Sequence, residues 1–297
     1  MISLLPGTAA LRRLERLRLQ WRVLPAGAAL GSRRAQRPGQ SREFHGLRPY
    51  ETGDDVRQLD WAATLRFDRP YVREYHEEVP ASLLLLFDGS ASMGFGDPAK
   101  LAYAQALGCA LGYLALAHHD RVAALAFAHS VTARLVSGRG SGQWAALRDL
   151  AGALTAGGRT DFAEIPEATL RLGSLRGLAV VLSDFAPPEA FAAGLARLAR
   201  GPLSVVALHI LSPQELDPDL DGELELVDLE TGEARGGWIG AAERAHYLAS
   251  LESLRARTER ICADAGARYV QISTALPIVR CLQQTLVRAG VIVRGRS

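Results

Sequence analysis

Short, near-continuous apolar runs recur along this chain and limit the folds open to it. They fall at 82–87 (SLLLLF), 121–128 (RVAALAFA), 131–136 (VTARLV), 178–183 (LAVVLS), 203–211 (LSVVALHIL) and 268–272 (RYVQI). Strands that are apolar on both faces need cover on both faces. Stretches with helical periodicity lie between and around them, at 98–117, 142–154, 161–173, 188–200, 240–265 and 276–289. The alternation predicts an α/β protein with a doubly wound, mostly parallel sheet of Rossmann-like type. Only His129 and Ser130 separate the second and third runs, so those two form a hairpin and leave one antiparallel edge strand. Residues 223–235, ELELVDLETGEAR, alternate apolar and acidic side chains before a TGE turn. They predict a small β-hairpin inserted at about 220–238.

Three regions follow from charge and composition. Residues 1–49 carry ten arginines against Glu15 and Glu43. They read as a basic arm with an amphipathic helix at 9–24, followed by a linker, GSRRAQRPGQS, at 31–41. Residues 50–80 are dense in charged and aromatic side chains and are expected to pack on the main domain, which occupies 81–292. Apolar residues make up 48% and charged residues 22% of the 297, as in soluble globular proteins.

Cys109, Cys262 and Cys281 are too far apart for a CxxC site and odd in number, which fits a reducing compartment. The run from Leu101 to Ala117 has no charge, but its tyrosines, glutamine and glycines suit a buried helix better than a membrane span. Together with an arginine-studded start unlike a signal peptide, this predicts a cytoplasmic protein. The basic arm could touch an anionic membrane peripherally. No motif supports nucleic-acid binding.

In such sheets, ligands gather at the carboxyl ends of the strands. The first run ends there in Asp88-Gly89-Ser90-Ala91-Ser92, and two further loops add Thr160 with Asp161, and Asp184. A serine nucleophile would need GxSxG, and the flanking glycines are missing. Neither GxxxxGK[ST] nor GxGxxG is present for a phosphate. A hard cation needs oxygen ligands and few carboxylates when it keeps waters, and Asp88, Ser90, Ser92, Thr160 and Asp184 supply such a set. Each residue alone has a plainer use, as a helix cap or a turn former.

The DxSxS block, with Thr160 and Asp184 following on this fold, resembles the metal-ion-dependent adhesion site of von Willebrand factor A domains. That resemblance implies Mg²⁺, or Mn²⁺ or Ca²⁺, held by these five residues, with a coordination position open to a partner's acidic residue. The segment RPYETGDDVRQLDWAATLRFDRPYVREYHEE (48–78) is similar to the signature of the "domain of unknown function 58" family. Its matching positions are Tyr50, Gly53, Asp54, Asp55, Arg57, Asp60, Trp61, Thr64, Arg66, Arg73 and Glu74. Read from charge balance, this block is expected to form a structural ion network anchored by Trp61 that ties the N-terminal arm to the sheet, with a binding surface as the alternative.

The family resemblance implies a partner of the MoxR-type AAA+ ATPase class. The expected function is a non-enzymatic, divalent-metal-dependent protein-binding module, acting with such an ATPase in remodelling or maturing protein complexes. The alternative is a metal-dependent hydrolase of phosphate or acyl esters, which would want more carboxylate or histidine ligands.

Overall fold

The structure is a computed structural model that describes residues 15–21, 44–51, 54, 59–75, 81–219, 222–229 and 232–295. The chain forms two compact units, residues 1–32 with 81–297, and residues 33–80.

The larger unit is built on a six-stranded sheet. In chain order its strands are β4 (Ser82–Asp88), β5 (Arg121–Phe127), β6 (Val131–Gly138), β7 (Gly177–Ser183), β8 (Leu203–Leu211) and β11 (Arg268–Ser273), arranged β11-β8-β7-β4-β5-β6. Every pairing is parallel except β5 with β6. This is a mixed α/β, Rossmann-like architecture. Chain order reverses beside β4, which runs between β5 and β7, so the end of β4 lies at a crevice between helix layers.

The apolar runs explain the layering. Along β4, Leu83, Leu85 and Phe87 face one layer, with Leu107, Leu111 and Leu114, while Leu84 and Leu86 face the other, with Phe162, Phe191 and Leu195. All are fully buried, and each such side chain contributes about 1.5–3 kcal/mol. The first layer contains α2 (Lys100–Ala117), a helix apolar on nearly every side. It lies close to the sheet because of Gly108, where an added Cβ would sit 2.4 Å from the Phe87 ring. Other covering helices are α3 (Gly140–Ala153), α4 (Ile165–Leu170), α5 (Glu189–Ala199) and α7 (Ala241–Ala265), with a short α6 (Pro213–Leu216) after β8. A final helical stretch runs through Ile278–Arg280, a π-turn at Cys281–Thr285, and Leu286–Arg288.

Two elements differ from the periodicity reading. The helix expected at 161–173 is confined to α4, because Asp161 accepts the Ala163 amide at 2.8 Å and holds a turn ahead of Pro166. The described part of the expected 9–24 helix is a strand, β1 (Leu17–Leu19). It pairs antiparallel with β12 (Ile292–Arg294), with Leu17 and Leu19 buried and Arg18 exposed. The rest of that segment and the linker lie outside the described residues. The inserted hairpin is β9 (Gly222–Val227) with β10 (Ala234–Ile239).

The smaller unit has β2 (Phe44–Pro49), α1 (Trp61–Phe67) and β3 (Tyr71–Tyr75), with β2 and β3 antiparallel. Asp60 caps α1, accepting the Ala63 amide at 2.9 Å, which satisfies a donor that a helix start leaves free.

Candidate functional site

The carboxyl ends of β4, β7 and β8 gather a polar cluster in an otherwise apolar sheet. Asp88 closes β4 and is fully buried. One of its carboxylate oxygens accepts the Ser90 amide at 2.9 Å, and the other accepts the Ser183 hydroxyl at 2.6 Å. Burial, and then the charge of nearby Asp184, push its pKa up to about 7, against the pull of the hydrogen bonds from Ser183 and Ser90. Ser90 is buried and Ser92 half-buried, and their hydroxyls share a hydrogen bond at 3.2 Å.

The Thr160 loop is laced to this turn. Gly157 donates to the Gly89 carbonyl at 2.8 Å, and Ala91 donates to the Gly158 carbonyl at 2.9 Å. Thr160 Oγ1 is buried without a hydrogen-bond partner, a costly state for a hydroxyl.

Asp184 follows β7 and is buried. The next residue, Phe185, takes a left-handed φ of 50°, uncommon for a bulky side chain. It is held there by packing against Phe191 and by donating its amide to Ser183 Oγ at 2.8 Å. The Asp184 carboxylate accepts Lys100 Nζ at 2.7 Å, and the same ammonium reaches Glu215 at 2.5 Å. Lys100 and Asp184 are 2% and 3% exposed, so this is a buried ion pair. Burial works against the lysine's charge, but Asp184 and Glu215 outweigh it and hold its pKa above the ordinary value.

Glu215 is fixed in turn by a capping box, in which Ser212 donates its amide at 2.7 Å to the carboxylate and accepts the Glu215 amide at 3.2 Å. The segment between Phe95 and Lys100 closes on this box. Gly96 has φ 99°, and a Cβ there would lie 2.5 Å from the Ser212 side chain.

All five residues expected at the site therefore lie at this one edge of the sheet. Lys100, Ser183 and Glu215 were not among them. Their traces in the sequence were faint: a single lysine opening an uncharged helix, a serine ending a strand, and an SPQE capping sequence. Among the described residues no three His, Cys, Asp or Glu side chains are grouped to hold a metal. A cation here would thus depend on hydroxyls and water, and an orphaned threonine hydroxyl in a loop hydrogen-bonded to the turn after Asp88 fits a hard cation of that kind.

His209 lies in register with Ser183 on β8. It is buried, with Nδ1 at 2.7 Å from the Tyr269 hydroxyl, and burial lowers its pKa to about 4.

Part of the signature block lies among the described residues. Asp54 pairs with Arg48 through two contacts of 2.6 and 2.7 Å. Asp60 is a helix cap, Trp61 is exposed, and Arg66 stacks over the Phe67 ring. Tyr50 donates its amide to the Pro70 carbonyl. Gly53, Asp55, Arg57 and the Arg73 side chain lie outside the described residues.

The fold and this edge define a Rossmann-like α/β protein with an acidic, hydroxyl-lined site at the carboxyl ends of a parallel sheet. Comparison with known sequences gives the family. The profile described as "Protein of unknown function DUF58" matches residues 46–256, and the chain belongs to that family. The uncharacterized protein Rv1480 of Mycobacterium tuberculosis is 32% identical, over 90% of this chain and 84% of its own length. The uncharacterized protein Mb1516 of Mycobacterium bovis matches to the same extent. Among solved structures, the conserved hypothetical protein BatB from Bacteroides thetaiotaomicron is 13% identical with a TM-score of 0.46, covering 70% of this chain and 98% of its own. An aerotolerance-related membrane protein from Bacteroides fragilis has a TM-score of 0.44 at 13% identity, covering 70% of this chain and 99% of its own. Among the described residues no helix is long and apolar enough to cross a membrane.

Proposed function

We propose that this chain is a divalent-cation-dependent protein-binding module whose site corresponds to the adhesion site of von Willebrand factor A domains. The observation that carries this reading is the unpartnered, buried Thr160 hydroxyl, in a loop hydrogen-bonded to the turn where Asp88, Ser90 and Ser92 converge. Asp88, Ser90, Ser92, Thr160 and Asp184 would hold Mg²⁺. A bound Mg²⁺ supplies an open coordination position for a carboxylate presented by another protein.

The chain's own part is to prepare that position. Ser183 and the Ser90 amide orient the Asp88 carboxylate. The Ser90 and Ser92 hydroxyls offer neutral oxygens, which add ligands without adding negative charge. Burial on an apolar sheet keeps bulk water away and strengthens each of these contacts. The partner class, a MoxR-type AAA+ ATPase, rests on the family resemblance of the 48–78 signature.

The test is capture of a purified MoxR-type ATPase from the same cell by the immobilised chain, with Mg²⁺ or EDTA. Wild type should retain it only with Mg²⁺, and Asp88→Ala and Ser90→Ala/Ser92→Ala should lose it. Capture indifferent to chelator and to both variants would refute metal bridging. Mg²⁺-dependent turnover of generic phosphate or acyl esters, abolished by Asp88→Ala, would favour the hydrolase instead.

A further inference from the structure

The feature that the adhesion-site reading does not use is Lys100. Its ammonium is 2% exposed and sits 2.7 Å from Asp184 and 2.5 Å from Glu215. It opens α2, while its two partners come from the ends of β7 and β8, 84 and 115 residues further along the chain. The arrangement is built rather than incidental. Glu215 is locked by its capping box with Ser212, and the Asp97 backbone exchanges hydrogen bonds with the Gln214 side chain.

We propose that Lys100 is a specificity-determining residue of this site: an internal cation that occupies Asp184, weakens the hold on a metal ion and favours an anionic ligand. The inference rests on the metal-binding reading. Asp88, Asp184 and Lys100 are buried, and Glu215 is 17% exposed. Asp88, Asp184 and Glu215 ionised carry three negative charges, and Lys100 carries one positive charge. The balance of −2 matches one divalent cation. Without Lys100 the same cation would leave a net negative site, and an incoming carboxylate would be repelled. With Lys100 the loaded site is neutral, so a carboxylate approaches without that penalty.

Lys100 also answers how the edge can be assembled before any metal arrives. Two carboxylates within hydrogen-bond reach of one point are tolerated because an ammonium stands between them, and unpaired buried charges would otherwise oppose folding. One residue thus has effects of opposite sign on the two ligands. It lowers affinity for the cation and raises affinity for the carboxylate.

The experiment measures Mn²⁺ binding to the full-length protein by electron paramagnetic resonance. Acetate binding to the Mn²⁺-loaded protein is then followed by water proton relaxation. Lys100→Met should bind Mn²⁺ about tenfold more tightly than wild type, as expected for removing a nearby like charge from a weakly solvated site, and should bind acetate more weakly. Lys100→Arg should stay near wild type in both.

Unchanged or weaker Mn²⁺ binding by Lys100→Met, while Asp88→Ala still abolishes binding, overturns the role of Lys100 and leaves the metal site standing. Absence of Mn²⁺ binding in wild type and all variants overturns the metal reading and this inference together. If Lys100→Met does not fold, Lys100→Gln removes the same positive charge while keeping a hydrogen-bond donor beside Asp184. It should shift Mn²⁺ affinity in the same direction, and an unshifted affinity overturns the proposal.

Discussion

Arg48 meets Asp54 at 2.6 Å, and Lys100 meets Asp184 at 2.7 Å. On distance the two ion pairs are equivalent, and the Arg48 pair has the better geometry because the guanidinium forks onto both carboxylate oxygens. Their surroundings differ. The Arg48 and Asp54 side chains are 37% and 19% exposed, whereas those of Lys100 and Asp184 are nearly sealed. Water screens the first pair and can replace either partner when the other is lost. The second pair is shut away from water, so removing Lys100 strands the Asp184 carboxylate. In both cases the partner favours the charged state: the Arg48 hydrogen bond lowers the pKa of Asp54, and at Lys100 burial pulls the pKa down but Asp184 and Glu215 outweigh it and raise it. Only at the buried pair does that preference bear strongly on folding.

The contrast can be broken at several points. Lys100→Ala should cost about 3–5 kcal/mol of metal-free stability, the range for breaking a buried pair from one side, read from urea unfolding at neutral pH. A loss under about 1 kcal/mol would place this pair with surface bridges. Next comes the pH profile of Asp88. Its folded pKa is raised, so the folded chain keeps a proton that the unfolded chain releases near pH 4. That contribution is complete below about pH 4 and is lost as pH rises through about 7. The metal-free unfolding midpoint should therefore fall across this window, and Asp88→Asn should flatten the fall. Ser183→Ala removes the hydroxyl that donates to Asp88 and accepts from Phe185. It should cost about 1–3 kcal/mol in the same assay. The smallest effect belongs to Arg48→Ala, under about 1 kcal/mol, and 1 M salt should shrink it further. Salt should leave the Lys100→Ala difference almost intact.

Much of the fold is legible in the sequence because burial on both faces leaves continuous apolar runs. β8 occupies the same residues as its run at 203–211, and β4 exceeds its run by one residue, Asp88 itself. The elements misread were those whose pairing is distant. LRL at 17–19 fits a helical arginine pattern as easily as a strand, and its partner, β12, lies at the other end of the chain. Asp161 shows the local counterpart. A carboxylate that can cap a helix instead held a turn, and helical periodicity does not register that choice.

At the site, the residue types and their places could be read along the chain: a carboxylate and two hydroxyls where a strand ends, a threonine and a second carboxylate in later loops. These follow from strand ends being loop entries in a parallel sheet, a local property. Tertiary structure alone decided which charge faces which. Lys100, Asp184 and Glu215 meet across a long span of chain, and Ser183 reaches Asp88 from the neighbouring strand. Charge pairing acts through space and depends on how much water is excluded, and neither quantity is written in spacing along the chain.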